Sequence, residues 1–149
     1  MLDRPEGGTI VTVSSVLGHL GASHLSDYTA AKAGLIAMHT SLRAELSSLA
    51  AQKSGARQIR TILVKPGQLS TPLFASVKTP SSFFGPVVEP VVLAKKIVQM
   101  VDKGRSGVIA EPFYARQIEW LGVLPHGLQS VARWFSGVDK AMSGFAASR

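Results

Sequence analysis

The chain contains no cysteine, so neither a disulfide framework nor a thiolate metal site is open to it, and that composition fits a reducing compartment. No apolar run reaches the 18 residues of a membrane-spanning helix. Acidic residues are scarce, 9 against 16 lysines and arginines, and the net charge is +7. A basic balance raises nucleic acid and anionic membranes as partners. Yet the cations are scattered, without the dense cluster or aromatic interleaving of a nucleic-acid surface, so no nucleic-acid partner is expected. The charge reads as solvated surface, part of it suited to phosphate-bearing ligands. Internal repeats and low-complexity segments are missing as well. The opening MLDRPEGG is polar and turn-like and does not read as a secretory signal.

What is present points to a packed domain. The chain has 149 residues, with 46% apolar and 17% charged side chains, enough to bury a core. Thr9 to Ser14 (TIVTVS), after Gly7-Gly8, is a β-branched run of the kind buried on both faces of a parallel sheet. Ser26 is suited to cap a helix, with Asp27 favourable in its first turn, and the helix should run to about Lys53. Leu35, Met38, Leu42, Leu46 and Leu49 recur at the spacing of a buried stripe, with His39 near it as an ordinary packed or half-exposed side chain rather than a ligand. Arg60 to Val64 (RTILV) is the next strand, closed by Lys65 and Pro66. Strand, helix and strand in this order form a βαβ unit with parallel strands, so the fold class is α/β. Pro90 starts a further helix that Gly104 ends, buried through Val92, Leu93, Ile97, Met100 and Val101. Gly107 to Ala110 is then an edge strand.

One stretch carries chemistry. Tyr28 and Lys32 are four apart, so their side chains project as neighbours from one helix face. The positive charge favours phenolate over phenol, which suits Tyr28 to give or take a proton near neutral pH. The pair alone recurs by chance in many helices. Ser15, however, stands where the first strand gives way to a loop, and Pro66-Gly67 stands at the end of the next strand. Ligands of parallel sheets bind beyond those carboxyl ends, which brings the two places to one site. Thr71 before Pro72 has a structural reading too, as the cap of a short helix.

The order Ser15, Gly-rich loop, Tyr28, Lys32, followed by Pro66-Gly67-Gln68-Leu69-Ser70-Thr71, resembles the short-chain dehydrogenase/reductase family. That family has a serine thirteen residues before the tyrosine of Tyr-x-x-x-Lys, and later a Pro-Gly-x-x-x-Thr segment. The resemblance implies the C-terminal part of a Rossmann-like, doubly wound parallel sheet, with the N-terminal nucleotide-binding half absent, since no Thr-Gly-x-x-x-Gly-x-Gly turn occurs. It implies an oxidoreductase using NADP or NAD, with Ser15, Tyr28 and Lys32 catalytic. The cofactor would be bound by Tyr28, Lys32, Pro66, Gly67, Leu69 and Thr71, and no metal is implied. The substrate would be a small lipophilic alcohol or carbonyl compound, covered by the segment from Leu73 to Val88 with Phe74, Phe83 and Phe84, unless those residues pack on the domain instead.

Residues 1–112 read as the catalytic part and 113–149 as a C-terminal helical extension. The extension carries Trp120 and Trp134, with Phe135, Leu121, Val123 and Leu124 alternating with Arg116, Arg133 and Lys140. It resembles the extension of the retinol- and 17β-hydroxysteroid-dehydrogenase-like branch. An amphipathic segment of this kind either packs on its own domain or a partner or rests at a membrane interface, so a cytoplasmic location or one peripheral to an intracellular membrane is expected. The family also implies a homo-oligomer in complete form. The competing reading is a non-catalytic, truncated chain that acts through association of its long Leu-rich helix.

Overall fold

A computed structural model describes residues 7–52, 59–71 and 86–136. Among them three strands form one parallel sheet: β1 (Thr9–Val13), β2 (Arg60–Pro66) and β3 (Gly107–Glu111), in that spatial order. Helix α1 (Ser26–Gln52) joins β1 to β2, and α2 (Pro90–Asp102) precedes β3. After β3 come a 3₁₀ turn (Phe113–Arg116), α3 (Ile118–Leu121) and α4 (His126–Ser136). The expected α/β class and parallel βαβ order are therefore found. The partial, Rossmann-like sheet has β3 as an edge strand.

Register aligns the carboxyl ends. Val13 pairs with Val64, and Pro66 with Glu111. The Ser14 amide donates to the Val64 carbonyl at 2.8 Å, so the first ladder extends one residue beyond β1. Strand β2 runs two residues further than its β-branched core, which corrects the expectation that Lys65 and Pro66 close it.

Side chains alternate between the two faces of a strand. Ile62, Val64 and Ile109 face α2 and pack with Leu93, Val88, Leu69, Ile97 and Met100. On the opposite face Ala110 joins Val16, Leu17, Ala22, Leu25 and Ala115, with Tyr28 and Ile118 packed against them. Helix α2 starts with Pro at its first position, where the missing N–H costs nothing. It ends in a paired closure: the Arg105 amide donates to the Met100 carbonyl and the Gly104 amide to the Val101 carbonyl. Gly104 takes φ +60°, a conformation that glycine reaches without strain.

Four expectations need correction. Strand β1 is not buried on both faces: Val11 and Val13 are 37% and 48% exposed. They pair with Ile62 and Val64, on the α2 side, and α2 packs on β2 and β3. Helix α1 has no buried leucine stripe, since Met38 is 51% exposed and His39 is its buried residue. The reason is that α1 meets the sheet through Thr12, whose hydroxyl lies 2.9 Å from His39 Nδ1. In α2 the inward line is Leu93, Ile97 and Met100, while Val92 and Val101 face out. The first helical bond of α1 runs from the Thr29 amide to the Leu25 carbonyl, which makes Leu25 rather than Ser26 the capping residue. Phe74, Phe83, Phe84, Pro72 and Lys140 lie outside the described residues. Among the described residues no helix is long and apolar enough to cross a membrane.

Candidate active site

The carboxyl ends of the three strands converge with the start of α1. Lys32 reaches back from the second turn of α1 and donates its ammonium to the Val13 carbonyl at 3.1 Å. The Ser14 hydroxyl donates to the Lys32 carbonyl at 2.8 Å. These two bonds lace the end of β1 to the helix. The Lys32 ammonium lies 5.6 Å from the centre of the Tyr28 ring, within cation–π range. Tyr28 itself is half-buried against the core cluster of Val16, Leu17 and Leu25.

Ser15 is buried, and its hydroxyl has local work. It accepts from the Leu17 amide at 3.2 Å, capping the turn Val16–Gly18, and points a 3.5 Å donor contact at the Pro66 carbonyl. This contact carries the link between the two strands past their ladder, from the loop after β1 to Pro66 at the end of β2. Gly18 lets the turn lie flat on α1, since an added Cβ would stand 2.7 Å from Ile36 Cδ1 and 3.0 Å from the Lys32 carbonyl. Gly67 plays the same part on the other side. Its amide donates to the Glu111 carbonyl, and an added Cβ would stand 2.6 Å from the Tyr114 hydroxyl.

The structure thus gathers Ser15, Pro66 and Gly67 at one strand edge and Tyr28 with Lys32 on the adjoining helix, linked through Val13 and Ser14. Leu69 stands apart from that group. It bridges to Val88 and packs in the cluster under α2. Thr71 is half-buried, its amide donating to the Leu69 carbonyl.

Residues 65, 19 and 119 were not singled out from the sequence. Lys65 is 2% exposed, on the α1 side of β2, and its ammonium is paired with the Glu119 carboxylate from α3. His19 Nε2 lies 3.5 Å from the same ammonium. Burial pushes Lys65 below its ordinary value, and burial together with the Lys65 charge does the same to His19. Only a lysine directly after the apolar run Ile62–Val64 of the strand hinted at this cluster, and its anion comes from 54 residues further along the chain. It fastens the segment after β3 next to the Ser15–Pro66 edge. Tyr114, raised by burial, closes over Gly67 beside it.

Comparison with known proteins decides the family. A model of the short chain dehydrogenase family matches residues 1–81, more than half of the chain. This chain belongs to the short-chain dehydrogenase family. It is 44% identical over 130 residues to an uncharacterized oxidoreductase of Saccharomyces cerevisiae, TDA5, covering 87% of this chain and 38% of the relative. A second uncharacterized oxidoreductase of the same yeast, YDL114W, is 31% identical over 145 residues, 96% of this chain and 46% of the relative. Human retinol dehydrogenase 10 is 31% identical over 145 residues, 95% of this chain and 41% of that protein. The chain therefore spans about two fifths of the length of these curated relatives.

Proposed function

We propose that this short-chain dehydrogenase chain carries the catalytic residues of an NAD(P)-dependent oxidoreductase that interconverts an alcohol and a carbonyl group on a small lipophilic substrate. The observation that carries the reading is the 5.6 Å pairing of the Tyr28 ring with the Lys32 ammonium, laced to the strand end that bears Ser15. The residues present suit the nicotinamide half of the cofactor. An ammonium has three hydrogens, and the Val13 bond uses one, so Lys32 retains donors for ribose hydroxyls. Pro66, Gly67, Leu69 and Thr71 would line the carboxamide side. When bound, the cofactor supplies or accepts hydride.

The chain's own residues do the rest. Tyr28 gives a proton to the carbonyl oxygen, or takes it from the alcohol in the other direction, and Lys32 sets a positive charge beside that phenol. Ser15 donates a hydrogen bond to the same substrate oxygen, for which its hydroxyl must turn from the weak 3.5 Å contact with Pro66. Fixed donors aimed at a developing alkoxide lower the barrier because they need no reorganisation. In an active form of the protein, Tyr28→Phe is expected to cut turnover by about 10²–10⁴-fold while cofactor affinity stays nearly unchanged. Turnover at the parent rate would refute the assignment. The kinship with a retinol dehydrogenase supports a lipophilic substrate.

A second reading rests on α1, where Met38 is 51% and Leu49 36% exposed along the leucine face. This face would associate with a second copy, giving a homo-oligomer, and in the non-catalytic alternative that association is the function. Titrating NADPH and NADH into the purified 149-residue chain, followed by nicotinamide fluorescence, tests the non-catalytic alternative. Very weak binding or none is expected of this chain alone under either reading, because its site needs the N-terminal half of the family domain, and saturable binding would overturn the alternative in favour of a competent site. Residues 1–112 would be the catalytic part, and 113–149 a C-terminal helical extension that packs on its own domain, as Ala115, Ile118 and Glu119 do, or touches the periphery of an intracellular membrane.

A further inference from the structure

Along the β3 side of the sheet, α2, β3 and the turn after β3 enclose a groove of about 600 Å³ that the reaction above does not use. Met100, Val108 and Ile109 form part of its wall, and Lys96, Lys103, Arg105 and Arg116 are its cations. Among the described residues Glu111 is the one acid lining it, and Lys96 already holds that carboxylate. Among the described residues Lys103, Arg105 and Arg116 have no acidic partner, and all three are exposed. Phe113, at the same groove, is 68% exposed, and the segment that follows adds Trp120 at 71% and Val123 at 77%.

The occupant must answer both features. A second copy docking edge to edge would oppose two positive rims, which disfavours pairing. A nucleic acid would answer the charge but offers nothing to Val123 or the aliphatic wall. A bilayer with anionic headgroups answers both, because its phosphates lie at the level of the cations and its acyl boundary accepts aromatic and aliphatic side chains a few ångströms deeper.

We propose that this groove is a docking surface for an anionic bilayer, with a lipid phosphate held among Lys103, Arg105 and Arg116 and with Phe113 entering the interface. It stands independently of the oxidoreductase reading, and it gives the membrane contact suggested for residues 113–149 a specific headgroup site that joins Phe113 and Arg116 of that segment to Lys103 and Arg105 before it.

The test uses the purified 149-residue chain and sedimentation with vesicles of phosphatidylcholine alone or with one third phosphatidylserine. Binding to the anionic vesicles should be at least about 10-fold tighter and should weaken with salt. The triple variant Lys103→Glu/Arg105→Glu/Arg116→Glu alters only exposed side chains, and its folding is verified by circular dichroism. It should lose about 100-fold of that binding, at roughly 5-fold or more for each charge. Phe113→Ser should weaken binding to both vesicle types. Equal binding to neutral and anionic vesicles would overturn the headgroup site while leaving an apolar contact of 113–149 intact. Full displacement of the vesicles by duplex DNA at low concentration would assign the groove to nucleic acid, and inositol hexakisphosphate binding without vesicle binding would assign it to a soluble phosphate. Either result overturns the proposal, as does a chain dimer that the triple variant abolishes.

Discussion

Strands β1 and β2 are almost the same in character, TIVTV against RTILV, and they end in opposite circumstances. From Thr61 to Pro66 β2 is buried at every residue, whereas β1 buries only Thr12. The difference is one of neighbours. β2 has a strand on each side and helices on both faces, while β1 has a described strand on one side only and is covered through α1. Composition makes a segment a strand, but the number of partners determines how much stability its side chains contribute.

That comparison can be broken most sharply by truncating matched positions. Ile62→Ala removes a fully buried side chain and should cost about 2–5 kcal/mol, while Val13→Ala, nearly half exposed, should stay within about 0.5 kcal/mol. Urea unfolding of the two variants measures both. Equal losses would mean that β1 is covered in solution.

Next in size is the buried cation that β2 carries and β1 lacks. Glu119→Gln leaves the Lys65 ammonium without its anion and should cost about 1–3 kcal/mol. Joint replacement, Lys65→Met with Glu119→Leu, should cost less than the single change, because the desolvation penalty goes with the charge. A double-mutant cycle on thermal melts reads the coupling directly.

Glycines at the end of β2 and on the outer side of α1 make a smaller pair. At Gly67 a methyl group meets the Tyr114 hydroxyl, so Gly67→Ala should destabilise by about 1–2 kcal/mol. At Gly34 nothing lies within 4 Å, so Gly34→Ala should stabilise α1 by about 0.5–1 kcal/mol. Opposite shifts in melting temperature are the expected signature.

The smallest effect is on pH. His39 is buried on the sheet-facing side of α1, with burial first and the Arg43 charge second holding it below its ordinary value of 6.5. A lowered basic group binds fewer protons folded than unfolded in the window below 6.5. Its contribution is therefore complete above that pH and is lost as acid carries the pH down through the lowered value. Melting curves from pH 7.5 to 5.0 should fall less steeply for His39→Gln than for the parent chain. Identical slopes would show that another group sets the acid limit.

Much of this arrangement was legible beforehand. The strand and helix order, the stop at Gly104, and the nearness of Tyr28 to Lys32 follow from local spacing, since residues four apart share a helix face whatever surrounds them. The leucine stripe of α1 was misjudged for the converse reason. Spacing shows that Leu35 and Leu42 share a face, but not that anything covers it. Ser15 could be placed at a strand end, yet its hydrogen bonds to Leu17 and Pro66 depend on how two chain segments 51 residues apart meet.

By itself the sequence determined which segments become strands and helices, where the Tyr28–Lys32 pair sits on its helix, and which family the motifs belong to. All of these are short-range, set by backbone preference and by the 3.6-residue turn. Tertiary structure alone decided that Lys65 is buried against Glu119, that His39 rather than the leucines anchors α1, and that cations from α2, from the loop between α2 and β3 and from the turn beyond β3 line one groove. Those outcomes bring together residues far apart in the chain, and only the packing of the sheet sets which of them meet.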